Sequence, residues 1–347
     1  MLTRIFFIIL LIITFIFYIY KKKNKSNILM LLIIIVLSLI FAYREFILPS
    51  NMLGTDYYEY KRWFDVQSFS NIFSNFKYEN FAFDILICIT KFLDLDFYFF
   101  LFICSLIINI GIIFFIKRYS TKFSLSLFIY IILYYTSTFN IMRQWIACSI
   151  FLLAFKYIVD KKIIKYVCMI IIASLFHTTA IILLLLYPFL QETRIKEKIF
   201  ILTVTIVIAM TITILIPQID NIILNIAGKF GSNYATKYAN YVGYYSNYTN
   251  VVLGIIALVI ITLYRHIKGN ENPEYSNVIY IFLFLYTILG ILATKSFIIN
   301  RLMIYFVPSF FIGFPYVLKL FKNKQLIIQI TIYMLLFSKI IIERLLV

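Results

Sequence analysis

The residues best suited to chemistry occur in the segment Asn-Ile-Met-Arg-Gln-Trp-Ile-Ala, at 140–147. At about 100° per residue, four of them would share one stripe of a helix: Asn140, Arg143, Gln144 and Ala147. Such a stripe would present one permanent cation, two amides and a small residue. A guanidinium grips a phosphate or diphosphate bidentately without changing its protonation. The alternative is that Arg143 reaches the lipid headgroups at the end of its helix.

Two further ionisable residues lie beside apolar runs, where charge is costly and indicates function. His177, in Ser-Leu-Phe-His-Thr-Thr, would accept a proton from a hydroxyl or, when charged, neutralise a phosphate; the alternative is a buried histidine satisfied by a neighbour. Arg301, in Ile-Ile-Asn-Arg-Leu and preceded by Lys295, would add a second cation. Its alternative is an interfacial anchor.

The segment Gly-Thr-Asp-Tyr-Tyr-Glu-Tyr, at 54–60, combines a turn residue, carboxylates and aromatic rings. Asp56 would serve as a general base or, equally, cap the helix that follows it. Tyr57 and Tyr60 would stack on sugar rings.

Composition sets the environment for these residues. The 347 residues are 63% apolar and 14% charged, whereas soluble domains are about 45–50% apolar. A transmembrane helix needs roughly 20 apolar residues, so the sequence predicts an all-α, polytopic helical membrane protein with about 12 membrane segments. The net charge of +17 comes from Lys and Arg that punctuate apolar runs. The charge therefore indicates that these basic residues set the membrane topology and contact anionic lipid, and we expect no nucleic-acid partner.

Apolar runs bounded by charge predict twelve spans, near 4–20, 27–43, 97–116, 123–139, 142–159, 165–177, 179–190, 199–216, 250–265, 277–294, 301–318 and 325–343. The short loops between them are basic, which places those loops in the cytoplasm. All can lie there only if 165–190 forms a short helical hairpin broken near His177, with Thr178 or Thr179 capping the second arm. One unbroken span is the alternative.

Two larger segments, 44–96 and 217–249, would then be exoplasmic loops of a single membrane domain that covers 1–347. The first is too polar to span and ends in an amphipathic helix, near 81–93. The second carries tyrosines every three or four residues from Tyr234 to Tyr248, typical of an interfacial aromatic belt or, alternatively, a glycan-binding face.

Several kinds of chemistry lack support in the sequence. The four cysteines are scattered singly and there are two histidines, so neither a disulfide framework nor a metal site is expected. Motifs of ATPases, serine hydrolases and zinc proteases do not occur. We expect no cofactor.

Four motifs, in register over roughly residues 30–310, resemble the EpsG family of Wzy-like polysaccharide polymerases. They are Gly54-Thr55-Asp56-Tyr57 with Tyr60, Asn140-x-x-Arg143-Gln144-x-x-Ala147, Ala173-x-x-Phe176-His177-x-Thr179-Ala180 and Arg301-x-x-x-Tyr305-Phe306. The sequence departs from the family pattern at two points: Arg44 lies farther before Gly54 than expected, and Asn80 stands where such proteins often have Pro.

The resemblance implies a multi-pass enzyme of the bacterial cytoplasmic membrane, with its active site on the outer face. Such an enzyme polymerises undecaprenyl-diphosphate-linked oligosaccharide units of capsule, exopolysaccharide or O-antigen, and its partners would include membrane lipid, a flippase and a chain-length regulator. The growing glycan leaves one lipid diphosphate and joins the non-reducing sugar of the next unit.

The expected mechanism is metal-independent glycosyl transfer. Arg143, with Arg301 and Arg44, would bind the diphosphate, and Asp56 or His177 would deprotonate the acceptor. Substrate contacts would come from five further residues: Asn140, Gln144, Tyr57, Tyr60 and Tyr305. The rival functions are a lipid-linked oligosaccharide flippase or other transporter, a glycan ligase and, last, a membrane acyltransferase.

Overall fold

The computed structural model describes residues 26–48, 50, 53–74, 78–191, 248–268, 273–294, 296–316 and 318. Every regular element within these ranges is helical. The chain divides into two compact units, with a boundary between Tyr187 and Pro188. The described part of unit 1 lies within 26–187, and that of unit 2 covers 188–191 and 248–318. The single membrane domain stays a prediction.

Unit 1 contains the α-helices α1 (Ser26–Ala42), α2 (Arg44–Ile47), α3 (Tyr57–Val66), α4 (Phe69–Ser74), α5 (Phe81–Phe92), α6 (Phe97–Tyr119), α7 (Phe123–Ile129), α8 (Met142–Val159) and α9 (Ile163–Phe176). Its 3₁₀ segments are Tyr78–Asn80, Tyr135–Phe139 and Thr178–Leu185, and Tyr130–Tyr134 is a π-helix. Helix α10 (Leu186–Gln191) crosses the unit boundary. Unit 2 contains α11 (Tyr248–Lys268), α12 (Pro273–Ala293), α13 (Phe297–Met303) and α14 (Val307–Gly313).

Helix α6 is central to unit 1 because it packs against both α1 and α8. Its ends carry the charges that a helix dipole favours. Asp96 accepts a hydrogen bond from the Phe99 amide at the start, and Lys117 and Arg118 occupy the last turn. Helix α8 packs in turn against α9. These four helices form the scaffold on which the polar segments rest.

A buried polar group joins α1 and α6 within this scaffold. The Asn109 side chain donates to the Ser38 and Ser105 hydroxyls at 3.3 and 3.0 Å and accepts from the Tyr130 hydroxyl at 2.9 Å. All four residues are buried. Satisfied in this way, the amide avoids the cost of desolvation, and it fixes the π-helix that contains Tyr130.

Two helices within the described ranges, α6 and α8, are long and apolar enough to cross a membrane. Shorter apolar helical segments match the predicted spans near 27–43, 165–177, 179–190, 250–265 and 277–294. Exposed Ile28, Leu31, Leu32, Ile35 and Leu39 follow one side of α1 at helical spacing, as expected for a surface facing lipid. The predicted spans near 4–20, 199–216 and 325–343 and nearly all of segment 217–249, with its tyrosines before Tyr248, lie outside the described residues.

Two predicted spans are helical but are not continuous α-helices. The 123–139 span passes from α7 into a π-helix and then a 3₁₀ segment. The 301–318 span is interrupted at 304–306, so Arg301 lies in a separate short helix, α13. Pro308 stands in the first turn of α14, and its ring would clash with the carbonyl of residue 304 in a continuous helix.

The chain reverses direction at His177, as the hairpin interpretation predicts. The Tyr166 hydroxyl in α9 donates to the Leu183 carbonyl at 2.6 Å, and the Tyr166 and Tyr187 rings lie 5.4 Å apart. In a continuous helix, residues 166 and 183 would be about 25 Å apart. The proposed threonine cap is wrong: His177, with an extended backbone, occupies the cap position, and no described side chain caps the 3₁₀ segment.

The close approach of α6 to α8 provides a test of this packing. A Cβ added to Gly111 would lie 2.5 Å from the Ser149 Cβ and carbonyl oxygen. We expect Gly111→Leu to lower the free energy of unfolding in detergent by about 1–3 kcal/mol or more, the cost of overpacking. The control, Ile110→Leu at the exposed neighbouring position, should change it little. Equal stability of the two variants would contradict this packing.

Candidate functional site

The predicted polar stripe begins in a turn and not on a helix. Helix α8 starts at Met142 with Ile141 as its cap residue, so placing Asn140 on the same helical stripe as Arg143 is wrong. The physical reason is that Asn140 bonds to another segment. Its Oδ1 accepts from the Thr55 amide at 2.5 Å, and its carbonyl accepts from the Tyr60 hydroxyl at 3.1 Å.

Gly54 allows this contact between segments 85 residues apart. Its φ of +101° lies in the region that favours glycine, and an added Cβ would be 2.5 Å from the Asn140 Oδ1 and 3.0 Å from the Phe139 carbonyl oxygen. A larger residue would therefore separate the loop from Asn140. The first two motifs of the sequence are in direct contact for this reason.

Arg44 is fully buried beneath the same contact. Its Nε donates to the Leu53 carbonyl at 2.9 Å and its Nη1 to the Phe41 carbonyl at 2.7 Å. The guanidinium carbon lies 4.4, 4.7 and 5.1 Å from the ring centroids of Phe41, Tyr57 and Phe139. Burial lowers the pKa of Arg44 to about 10, which leaves it cationic at neutral pH. These contacts hold the polypeptide on both sides of the Thr55–Asn140 hydrogen bond.

Arg143 occupies the first turn of α8, where the helix dipole disfavours a cation. Its guanidinium carbon lies 4.8 Å from the ring centroid of Trp63 and 6.0 Å from that of Phe83. Its Nη1 donates to the Asn80 Oδ1, while its Nε is buried without a hydrogen-bond partner among the described residues. Gln144, the next residue, is buried. The half-buried Arg143 guanidinium thus retains hydrogen-bonding capacity beside the rings of Trp63 and Phe83.

The short segment Tyr78–Asn80 connects Arg143 to the hairpin. The Tyr78 hydroxyl and Ser174 Oγ lie 2.6 Å apart, near the end of α9, and Asn80 accepts from Arg143. The segment also contacts Thr178–Leu185. His177 is half-buried at the reversal, with Nδ1 2.7 Å from the Thr179 Oγ1. The third motif therefore lies close to the first two.

Asp56 precedes α3 but does not cap it with its side chain. Its half-buried carboxylate accepts instead from the Thr55 hydroxyl at 3.1 Å. This observation removes the alternative of a simple N-cap. The carboxylate stands one residue after the Thr55 amide that binds Asn140.

Tyr57 and Tyr60 are both buried and face inward from α3. The Tyr57 hydroxyl donates to Glu45 Oε2 at 2.7 Å, and Tyr98 donates to the same oxygen at 2.9 Å. Burial, followed by the bond to Glu45, raises the pKa of Tyr57. Both tyrosines thus support the loop in this structure, and their predicted contacts with sugar stay a prediction.

In unit 2, Ser296 caps α13 by accepting from the Ile299 amide at 3.0 Å. Arg301 is half-buried in α13, and Tyr305 is buried in the turn that follows. The fourth motif is therefore ordered within its own unit. Among the described residues, no group of three or more His, Cys, Asp or Glu side chains is arranged to hold a metal ion.

A model of the EpsG family matches residues 46–347, most of the chain. The chain belongs to the EpsG family. This family is associated with Wzy-like polymerases, and EpsG membership together with the apolar helices identifies a membrane protein. No curated protein and no solved structure is significantly similar to this EpsG chain.

Four residues of this EpsG-family site escaped the sequence analysis as functional: Asn80, Trp63, Asp84 and Glu45. Asn80 had a usable signal, because an asparagine directly before the predicted helix near 81–93 would normally cap it. Its side chain forms no cap and binds Arg143. The other three depend on tertiary contacts that no sequence spacing indicates.

The Glu45 contacts predict a pH dependence of stability. The hydrogen bond from Tyr57, then that from Tyr98, lowers the pKa of Glu45 below its usual 4.5. A lowered folded-state pKa adds stability above the unfolded-state value, and this is lost as the pH falls through the folded-state value. Between pH 7 and 3, we expect the melting-temperature difference between wild type and Glu45→Gln to shrink with acid.

Glu59→Gln is the matched control, because Glu59 is exposed and pairs only locally with Arg62. Its difference from wild type should stay small throughout. A wild-type advantage over Glu45→Gln that did not change with pH would contradict the assigned pKa direction.

Proposed function

We propose that this chain polymerises undecaprenyl-diphosphate-linked oligosaccharide repeat units on the outer face of the bacterial cytoplasmic membrane. The observation that carries the proposal is the meeting of segments 53–60, 78–80, 140–147 and 173–180 around the start of α8. There a half-buried guanidinium, a carboxylate free of capping and an imidazole belong to one cluster of contacting segments. Membership of a polymerase-associated family supports the same reading.

In the proposed reaction, the bond between the anomeric carbon of the growing glycan and its lipid diphosphate breaks. An acceptor hydroxyl on the non-reducing sugar of the next unit bonds to that carbon and releases its proton to a base. The leaving diphosphate gains negative charge, which preorganised cations stabilise. Arg143 supplies a cation in unit 1, and Arg301 is proposed as a second.

Arg44 has a different proposed role from the substrate contact expected from the sequence. Its guanidinium is enclosed by three rings and two carbonyls, so reaching a diphosphate would require dismantling the loop. We assign it the placement of Asp56 and Asn140. Membrane lipid, a flippase that supplies the substrate and a chain-length regulator remain the proposed partners.

The Arg143 assignment has a direct test in a strain that lacks the native gene and any second polymerase. We expect Arg143→Ala to reduce polymerisation about 100-fold or more, the typical loss for one electrostatic donor. Arg143→Lys should be nearly as damaging because an ammonium cannot bind bidentately. The measurement is the surface glycan ladder on a gel. Near-normal chain lengths from Arg143→Ala would refute the assignment.

Arg62→Ala is the matched control, because Arg62 is an exposed arginine on α3 with a local partner, and its ladder should match wild type. The location of unpolymerised repeat units separates the rival functions. Single units on the outer leaflet of the Arg143→Ala strain favour a polymerase, whereas units trapped inside would indicate a flippase.

We propose Asp56 as the general base, since its carboxylate is not used as a helix cap. Asp56→Asn should lower the polymerisation rate about 100-fold or more, within the usual range for a general base. Asp65→Asn, which changes an exposed carboxylate on α3, the helix that follows Asp56, should have little effect. Normal polymerisation by Asp56→Asn, combined with loss in His177→Gln, would transfer the role to His177.

A further inference from the structure

We infer that Trp63, held in place by Asp84, is a positioning residue for the Arg143 guanidinium. This inference rests on the proposed binding of diphosphate by Arg143. It concerns two residues outside all four sequence motifs. Their contacts explain how a cation is held where the helix dipole opposes it.

The indole of Trp63 provides a face for the guanidinium. The Arg143 guanidinium carbon lies 4.8 Å from the Trp63 ring centroid, within the range of a cation–π contact. Tryptophan is the strongest side chain for this interaction, and a guanidinium generally stacks on an aromatic ring through its flat face. The N–H groups at the guanidinium edge therefore stay available for acceptors. One of them binds the Asn80 Oδ1, and the buried Nε has no partner in the part of the chain that the structure describes.

Asp84 fixes the orientation of the indole. Trp63 Nε1 donates to Asp84 Oδ1 at 2.9 Å, and Asp84 is buried on α5. Phe83, the neighbouring residue, lies 5.4 Å from the Trp63 ring at an interplanar angle of 59°. The indole is thus held through a polar bond at its edge and an aromatic contact at its side. The fixed indole therefore limits the orientations open to the Arg143 guanidinium that packs on it.

This arrangement suits a diphosphate ligand. Bidentate binding of phosphate requires the guanidinium plane to be fixed, because both hydrogen bonds lie in that plane. A freely rotating Arg143 side chain would have to be ordered each time the ligand binds, at a cost in conformational entropy. Trp63 and Asp84 reduce the freedom of the side chain before the ligand arrives, which is preorganisation.

Tryptophan fluorescence allows a test on the intact protein. The chain has two tryptophans, Trp63 and Trp145. Within the described ranges Trp145 Nε1 forms no hydrogen bond, so Trp145→Phe removes none of the described bonds and leaves Trp63 as the sole reporter. We expect undecaprenyl diphosphate, titrated into this protein in nanodiscs, to change the Trp63 emission. Adding Arg143→Ala should abolish the change.

Binding constants separate positioning from a merely structural role. Measured by isothermal calorimetry with undecaprenyl diphosphate, Trp63→Leu should weaken binding about tenfold, the loss of one desolvated cation–π contact. Trp63→Phe, which keeps an aromatic face, should restore most of the affinity, and Asp84→Asn should retain it because its oxygen still accepts. The melting temperature of each variant reports folding separately.

The outcomes are distinguishable. Weaker binding in Trp63→Leu with recovery in Trp63→Phe, at matched melting temperatures, supports the inference. Unchanged binding in Trp63→Leu, or a Trp63 emission that does not respond to the ligand, overturns it while the Arg143 assignment stands if Arg143→Ala still weakens binding. Full binding in Arg143→Ala overturns both.

Discussion

The buried positive charge of Arg44 is the constraint on which the candidate site depends. An uncompensated charge inside a protein costs several kcal/mol, and no carboxylate contacts this one among the described residues. The charge is tolerated because three aromatic rings and two carbonyls surround it. Those partners come from the end of α1, the loop before Gly54, the start of α3 and Phe139, so the segments must assemble together. Burial of the Arg44 charge thereby couples the end of α1 to segments that are distant from it in sequence.

Helix starts in this region use their side chains for contacts between segments. Asp56 and Asn80 both occupy cap positions, yet neither caps its helix. Arg143 lies in the first turn of α8 against the dipole. Each choice gives up local helix stability, typically about 1 kcal/mol for a missing cap. Such departures from local preference are expected at functional sites, where stability is supplied by the surrounding scaffold.

The sequence predicted the long helices well because apolar runs bounded by charge leave few alternatives. Helix α8 begins and ends where 142–159 was placed, and the reversal at His177 follows from the distribution of basic loops. Hydropathy could not reveal the π-helix after α7, which depends on the buried Tyr130–Asn109 bond. Pro308 was a local signal for the break before α14, but the continuous apolar run from 301 to 318 favoured a single span.

For the site, spacing selected Asn140 and Arg143 but assigned them to one helical stripe. The actual arrangement arises from a contact across 85 residues, which helical periodicity cannot express. Arg44 was identified as a cation, but its burial could not be deduced from its neighbours. Trp63 and Asp84 were overlooked because their role exists only when α3, α5 and α8 meet. The residue types indicated the chemistry of the site, whereas its geometry depends on contacts between segments that are distant in sequence.

The segment Tyr78–Asn80 has a consequence for dimensions. Its two ends, Tyr78 and Asn80, bind different partners, Ser174 and Arg143, and one residue separates them. The backbone from the Tyr78 Cα to the Asn80 Cα spans at most about 7 Å. The segment therefore limits the distance between the hairpin and the Arg143 guanidinium. Lengthening this 3₁₀ segment by one residue would alter the span by about 2 Å, enough to displace Arg143 relative to the hairpin. In the proposed reaction, the position of the growing glycan relative to Arg143 would then depend on the length of a single turn.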